Sequence, residues 1–210
     1  MYGEDYPRDA APFSFVTILE LRWLAAALNV GKGHWFVDLA CGRGGPGLWV
    51  ANETEAALIG IDSSVVAIEA ASARAGTRGA SRVAVFVVAD AAATALRTAS
   101  VDAVMSVDAL QLMPHRAAVL KEVARVLKPD GRFAFTTWLS RGGGTMPPFP
   151  TNYQPLLTTA GLILEACHSL SITKASCLGT RSKYPATLQV CRSSSCSRKR
   201  SRQRKQGQGV

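Results

Sequence analysis

The most constraining feature of the chain is a glycine-rich turn set between an apolar strand and a helix. Trp35 to Leu39 (WFVDL) is a continuous apolar run apart from Asp38, which suits a strand buried on both faces. Asp38-Leu39-Ala40-Cys41-Gly42-Arg43-Gly44-Gly45-Pro46-Gly47 carries the chain out of that strand, and helix signals run from about Gly45 to Thr54. Gly42, Gly44 and Gly47 satisfy G-x-G-x-x-G, and Asp62 lies 20 residues beyond the first of them. Glycines let a backbone approach a ligand closely at a helix N-terminus, and a carboxylate at that distance can grip two ribose hydroxyls. A nucleoside-containing cofactor is the direct reading.

The flanking sequence repeats the strand–helix alternation. Phe13 to Leu28 has mixed three- and four-residue apolar spacing and predicts an entry helix. Ala57 to Ile61 (ALIGI) is the second strand, and Ser64 to Ala75 the next helix with Ser63 as its N-cap. Arg82 to Val88 and Ala103 to Val107 are the third and fourth strands. His115 to Leu127 is a helix that Pro129-Asp130-Gly131 stops, and Arg132 to Thr137 is the fifth strand. The fold class that follows is α/β, a doubly wound, mostly parallel sheet with helices on both faces. Ligands in such sheets bind outside the carboxyl ends of the strands, so chemistry is sought there.

Two further acids narrow the cofactor. Asp38 lies inside the first strand, where its charge repels a pyrophosphate and attracts an ammonium or sulfonium. Asp90, at the end of the third strand, is placed to accept a hydrogen bond from an adenine amino group. Three acids around one site suit a cofactor whose reactive end is positive, and S-adenosyl-L-methionine fits better than NAD.

VDLACGRGGPG, then LIGID, VVADA, SVDAVMSVDALQLM and EVARVLKPDGRFAFTTW, resemble the class I S-adenosylmethionine-dependent methyltransferases over about Phe13 to Ala166. The likeness is to the bacterial small-molecule branch, near the ubiquinone/menaquinone-type and natural-product O-methyltransferases. The resemblance implies that Asp38, Ala40, Gly42 and Gly44 hold the methionyl end of the cofactor. It implies that Asp62 binds the ribose with Ser63 beside the adenine, and that Asp90 and Ala91 meet the adenine edge. Asp108, after the fourth strand, would face the reacting centre. Many relatives carry a His soon after that strand; here Gln111 and Leu112 stand in its place, and His115 comes slightly later as a candidate base. Met113 and Trp138 are candidate acceptor-pocket residues. Cys41 reads as a structural thiol, His34 as remote from the site, and no metal ligands are expected.

Charge separates the chain into two parts. The 210 residues carry a formal net charge of +9, yet there are 14 Lys/Arg against 15 Asp/Glu up to Glu165. From Ala166 onward there are 10 Lys/Arg and no acid. Four of the five cysteines, Cys167, Cys177, Cys191 and Cys196, also lie there, none at C-x-x-C spacing. Asn152 to Ala160 predicts a helix and Gly161 to Ala166 a sixth strand, with Arg141 to Pro150 as a surface loop. Beyond that, only Ala186 to Arg192 (ATLQVCR) has strand alternation. The expectation is a domain over residues 1–192, atypical at its end, with a seventh strand weak or replaced and an open edge beside the sixth. Residues 193–210 are expected to form a basic, disordered tail.

The first nine residues carry three acids and no apolar run, against a signal peptide, and no stretch approaches a membrane span. The reading is a cytoplasmic methyltransferase that uses S-adenosylmethionine on a small-molecule acceptor, with nucleic acid entering only through the tail. Two rivals stand beside it: an RNA methyltransferase that uses the tail, and a catalytically impaired cofactor-binding protein with an altered C-terminus.

Overall fold

Thr17 opens the first helix, α1 (Ile18–Leu28), through a reciprocal cap. Its hydroxyl accepts from the Glu20 amide at 3.2 Å, and its own amide donates to Glu20 Oε2 at 2.6 Å. That extended cap residue makes the helix start at Ile18 rather than Phe13. The protein is described from a computed structural model over residues 7, 14, 16–77, 83–138, 152–170 and 186–193. After α1 come β1 (Trp35–Leu39), α2 (Gly45–Thr54), β2 (Ala57–Asp62), α3 (Val65–Thr77), β3 (Ala84–Val88) and β4 (Val101–Val107). Then follow α4 (Arg116–Val126), β5 (Leu127–Trp138), α5 (Gln154–Ala160), β6 (Leu162–Leu170) and β7 (Ala186–Ser193).

The strands form one seven-stranded sheet in the order β3-β2-β1-β4-β5-β7-β6. β1 to β5 run parallel, and β7 runs antiparallel to both of its neighbours. The order reverses between β1 and β4, so a crevice opens at the carboxyl ends of those two strands. Leu21, Leu24 and Leu28 of α1 and Val50 of α2 pack with Phe36, Leu58 and Met105 on one face. Leu120 and Val123 of α4 and Leu157 of α5 pack with Val37, Val104 and Phe135 on the other.

Three expectations are corrected. Ser64 rather than Ser63 caps α3, its hydroxyl accepting from the Ala67 amide at 3.3 Å, because Ser63 is still in the turn leaving β2. Extended pairing of β5 begins at Leu127 opposite Val101, and the register shift between Val101 and Ala103 absorbs Pro129-Asp130-Gly131 as an irregularity. Most consequentially, the seventh strand is present and pairs with β6, which itself forms one edge of the sheet. β7 is inserted between β5 and β6, pairing from Arg132↔Arg192 to Trp138↔Ala186 on one side and from Leu162↔Ser193 to Leu170↔Ala186 on the other. Leu188, Val190 and Cys191 are buried, which is the physical reason this strand holds. The Arg192 guanidinium adds ion pairs to Glu165 at 2.9 Å and Asp130 at 3.2 Å.

The connection from β3 to β4 also departs from strict alternation, since it contains no helix. The Glu122 side chain captures that loop from α4 instead. Its Oε1 accepts from the Thr94 amide at 2.9 Å and the Thr94 hydroxyl at 2.6 Å, while Arg125 donates to Glu122 and to the Leu96 carbonyl. No helix among the described residues is long and apolar enough to cross a membrane. The tail expected from residue 193 begins later, because Ser193 ends β7 opposite Leu162 and is buried; its remainder from 194 and the expected loop over 141–150 lie outside the described residues.

Candidate active site

β1 delivers Asp38 to the switch point and α2 closes over it. Asp38 is 1% exposed, and its Oδ2 has no hydrogen-bond partner. Burial pushes its carboxyl up to about 7; the nearby Gly47 amide pulls partly the other way, and the charge of Asp62 pushes further up. Gly47 is required by this approach, because a Cβ there would lie 2.6 Å from Asp38 Oδ2. Gly44 turns the chain into α2 with φ of 71°, where a Cβ would lie 2.8 Å from the Phe86 ring. The third glycine of the fingerprint therefore seats the helix on the strand carboxylate, and the second sets the left-handed turn.

Asp62 at the end of β2 is held by the same loop. Its Oδ2 accepts from the Gly42 amide at 2.9 Å and its Oδ1 from the Ser64 amide at 2.9 Å. Each oxygen keeps one lone-pair direction for a ligand. Cys41 crosses to β2 through its amide, which donates to the Ile61 carbonyl at 3.0 Å. Its thiol is buried, and burial followed by Asp38 and Asp62 holds it protonated, in keeping with a structural role. Asp90 lies exposed beyond β3, where its Oδ1 accepts from the Ala92 amide at 2.8 Å. Ala91 is half-buried beside it, and Ser63 is exposed next to Asp62. The glycine loop, Asp38 and Asp62 are thus tied together by hydrogen bonds and close approach, and Asp90 lies two residues past the Asp62↔Val88 pair, at the end of the neighbouring strand β3.

Asp108 follows β4 with φ of 49°, a left-handed residue held by Thr136 of β5. The Asp108 amide donates to Thr136 Oγ1 at 2.9 Å, and that hydroxyl donates back to Asp108 Oδ1 at 2.9 Å. Asp108 Oδ2 is buried without a partner. Behind this pair is a network the sequence reading did not identify. Gln111 Nε2 donates to the Asp108 carbonyl at 2.7 Å, and Gln111 Oε1 accepts from Thr137 Oγ1 at 3.0 Å. The buried Tyr153 hydroxyl lies 3.2 Å from Thr137 Oγ1, and Arg116 donates to the carbonyls of Leu110 and Gln111. Its one trace in the sequence is the pair of β-branched hydroxyls, Thr136-Thr137, at the end of an otherwise apolar strand. Gln111 serves here as a neutral brace between the end of β4 and the end of β5.

His115 is exposed at the N-cap of α4 and makes no side-chain cap. Met113 is half-buried against the α4–α5 core. Trp138 ends β5. His34 sits at the amino end of β1, accepting from the Gly31 amide at 3.1 Å. It lines a cavity of about 410 Å³ with Lys32, Trp35, Glu55 and Val83, at the end of the sheet opposite the glycine loop. His168 of β6 is exposed against Trp23, with ring centroids 6.1 Å apart. Among the described residues no group of three or more His, Cys, Asp or Glu gathers as a metal site.

Residues 37–135 match the family described as "Methyltransferase domain". The chain is 35% identical over 115 residues to the methyltransferase GfsG of Streptomyces halstedii, covering 55% of this chain and 41% of that one. It is 34% identical over 116 residues to 27-O-demethylrifamycin SV methyltransferase of Amycolatopsis mediterranei, covering 55% and 43%. The matched region thus spans less than half the length of these curated relatives. Among solved structures, geranyl diphosphate C-methyltransferase from Streptomyces coelicolor superposes with a TM-score of 0.71 at 15% identity, covering 83% of this chain and 76% of that one. The [4+2]-cyclase SpnF superposes with a TM-score of 0.71 at 21% identity, covering 82% and 79%. Likeness at that identity establishes the fold, and the pair illustrates that one fold carries different reactions.

Proposed function

We propose that this chain, whose residues 37–135 match the methyltransferase-domain family, is a class I S-adenosylmethionine-dependent methyltransferase that transfers a methyl group to a small-molecule acceptor. The observation that carries the reading is the buried Asp38 carboxyl with its partnerless Oδ2, set beside Asp62 beneath the glycine loop. A pocket built on carboxyl groups suits a cationic ligand, which can stand as their counter-charge, and disfavours a pyrophosphate. The residues present therefore fit S-adenosylmethionine. Asp38, Ala40, Gly42 and Gly44 would hold its methionyl end, Asp62 its ribose with Ser63 alongside, and Asp90 with Ala91 its adenine edge.

The bound cofactor supplies an electrophilic methyl group on a sulfonium. The chain's own contribution is orientation and exclusion of water, which is sufficient for a transfer that needs little acid–base chemistry. Asp108 is the acceptor-side group in this reading: Thr136 fixes one oxygen, and the other is left to accept from an acceptor hydroxyl or amine. His115 is the second candidate for taking up a proton, from its exposed place at the start of α4. Free thiols at Cys41, Cys167 and Cys191 are in keeping with a reducing, cytoplasmic compartment.

The test is transfer of label from methyl-labelled S-adenosylmethionine to a panel of small hydroxylated, amino and carbon-nucleophile acceptors, with RNA as a separate arm. The expected result is labelled small molecule and unlabelled RNA. Asp108→Asn should lower turnover on the order of tenfold or more, the loss of about one charged hydrogen bond, while cofactor affinity stays unchanged. Labelled RNA alone would replace this reading with the RNA methyltransferase. An unchanged rate in Asp108→Asn would remove that residue from the site.

A further inference from the structure

Asp38 is placed where an unpaired negative charge is hard to keep. It is 1% exposed, its Oδ2 has no partner, and among the described residues no Lys or Arg forms an ion pair with it. The groups acting on it come from three sides. β2 contributes the second carboxylate, Asp62, and α2 contributes the Gly47 amide. The glycine loop contributes the Cys41 thiol, itself held neutral, while Arg43 of the same loop is exposed. β4 presents Met105, which has no charge, at the paired position. A carboxylate so enclosed is neutralised by a proton or by an incoming cation.

We propose that Asp38 carries a proton in the ligand-free protein near neutral pH and releases it to solvent when the cationic end of S-adenosylmethionine enters. Cofactor binding is thereby linked to proton release, and the bound state pairs a carboxylate with the ligand's ammonium. The inference rests on the cofactor assignment above and specifies the charge state of that site. In the exchange, the Asp38 O–H bond breaks, its proton passes to the buffer, and the cofactor takes its place as counter-charge. Burial, and then the charge of Asp62, set the carboxyl at about 7, so proton release is nearly complete at pH 6 and fades as pH rises through 7.

Titration calorimetry of the full chain with S-adenosylmethionine tests this in two buffers of unequal ionisation heat. The range from pH 6 to 7 lies below that of a free α-amino group, which titrates at about 7.7–8.0. At pH 6.5 more than half a proton should leave per cofactor bound, and the Kd should be about fivefold lower at pH 7 than at pH 6. Asp38→Asn should bind with no proton release and with the same Kd at both pH values. Equal proton release by Asp38→Asn, or buffer-independent heat in the unsubstituted protein, would overturn the inference. Should Asp38→Asn fail to fold, the two-buffer comparison on the unsubstituted chain decides alone. Absence of any binding heat would overturn the cofactor assignment itself, whereas binding without proton release would overturn only the linkage.

Discussion

Ala40 follows the strand end and precedes the glycine loop with φ of 59°, a left-handed conformation that costs a non-glycine residue ~1–2 kcal/mol. A glycine there would remove that strain and give back part of it as unfolded-chain entropy, ~0.4–1 kcal/mol. Ala40→Gly should therefore raise unfolding stability by ~0.5–1 kcal/mol, read as a higher denaturant midpoint at constant slope; a lower midpoint would mean that the Ala40 methyl makes packing contacts worth more than the strain. At this scale the glycine loop and its two acids were legible in the residues. Asp38, the glycines and Asp62 stand at spacings whose physical demands are local, and the loop ties them by the Gly42–Asp62 bond. The acceptor side was not. Asp108 meets Thr136 and Gln111 meets Thr137 across 28 and 26 residues, separations with no periodic signature.

Between elements, two contacts decide how the site is supported. Glu122 of α4 holds the loop after β3, the same loop that carries Asp90. The Arg125 guanidinium and then the Thr94 donors keep its carboxyl down at about 2, against the opposing effect of burial. A carboxyl with a lowered folded-state pKa contributes stability above its unfolded value of 4.5 and loses it as pH falls toward 2. The contribution is on the order of 3 kcal/mol, and Glu122→Gln should lower stability at pH 7 while flattening the acid limb below pH 4.5. Parallel acid limbs in the two proteins would place that titration elsewhere.

The second contact is the insertion of β7. The sequence from Ala166 on is rich in Ser, Cys and Arg without acids, which obscured a strand whose partners are Glu165 and Asp130 elsewhere in the chain. The alternation in Ala186 to Arg192 was the one readable trace. Leu188 is 2% exposed in the sheet core, so Leu188→Ala should cost ~2–5 kcal/mol. A cost below about 0.5 kcal/mol, the range of surface substitutions, would show that β7 is peripheral to the fold.

For the molecule as a whole, the fold class and the parallel run of the first five strands were readable because strand and helix alternate with turn signals between them; the strand order was not, since it is set by pairings between segments distant in the chain. The helix-free connection after β3 was not readable as such, since a side chain on α4, rather than a local pattern, holds it. The charge distribution is likewise two-part: a nearly neutral fold that places Asp38, Asp62, Asp90 and Asp108 at the carboxyl ends of its first four strands, and basic residues concentrated at the end of the chain.

The central claim is that the crevice at the carboxyl ends of β1, β2 and β3 takes S-adenosylmethionine. Calorimetric titration of the full chain with S-adenosylmethionine and, separately, with NAD tests it most directly. Saturable binding of the first and none of the second is expected, with Asp62→Ala weakening it by ~1.5–3 kcal/mol, the scale of lost charged hydrogen bonds. Tight NAD binding with no S-adenosylmethionine binding, or full affinity in Asp62→Ala, would contradict the account.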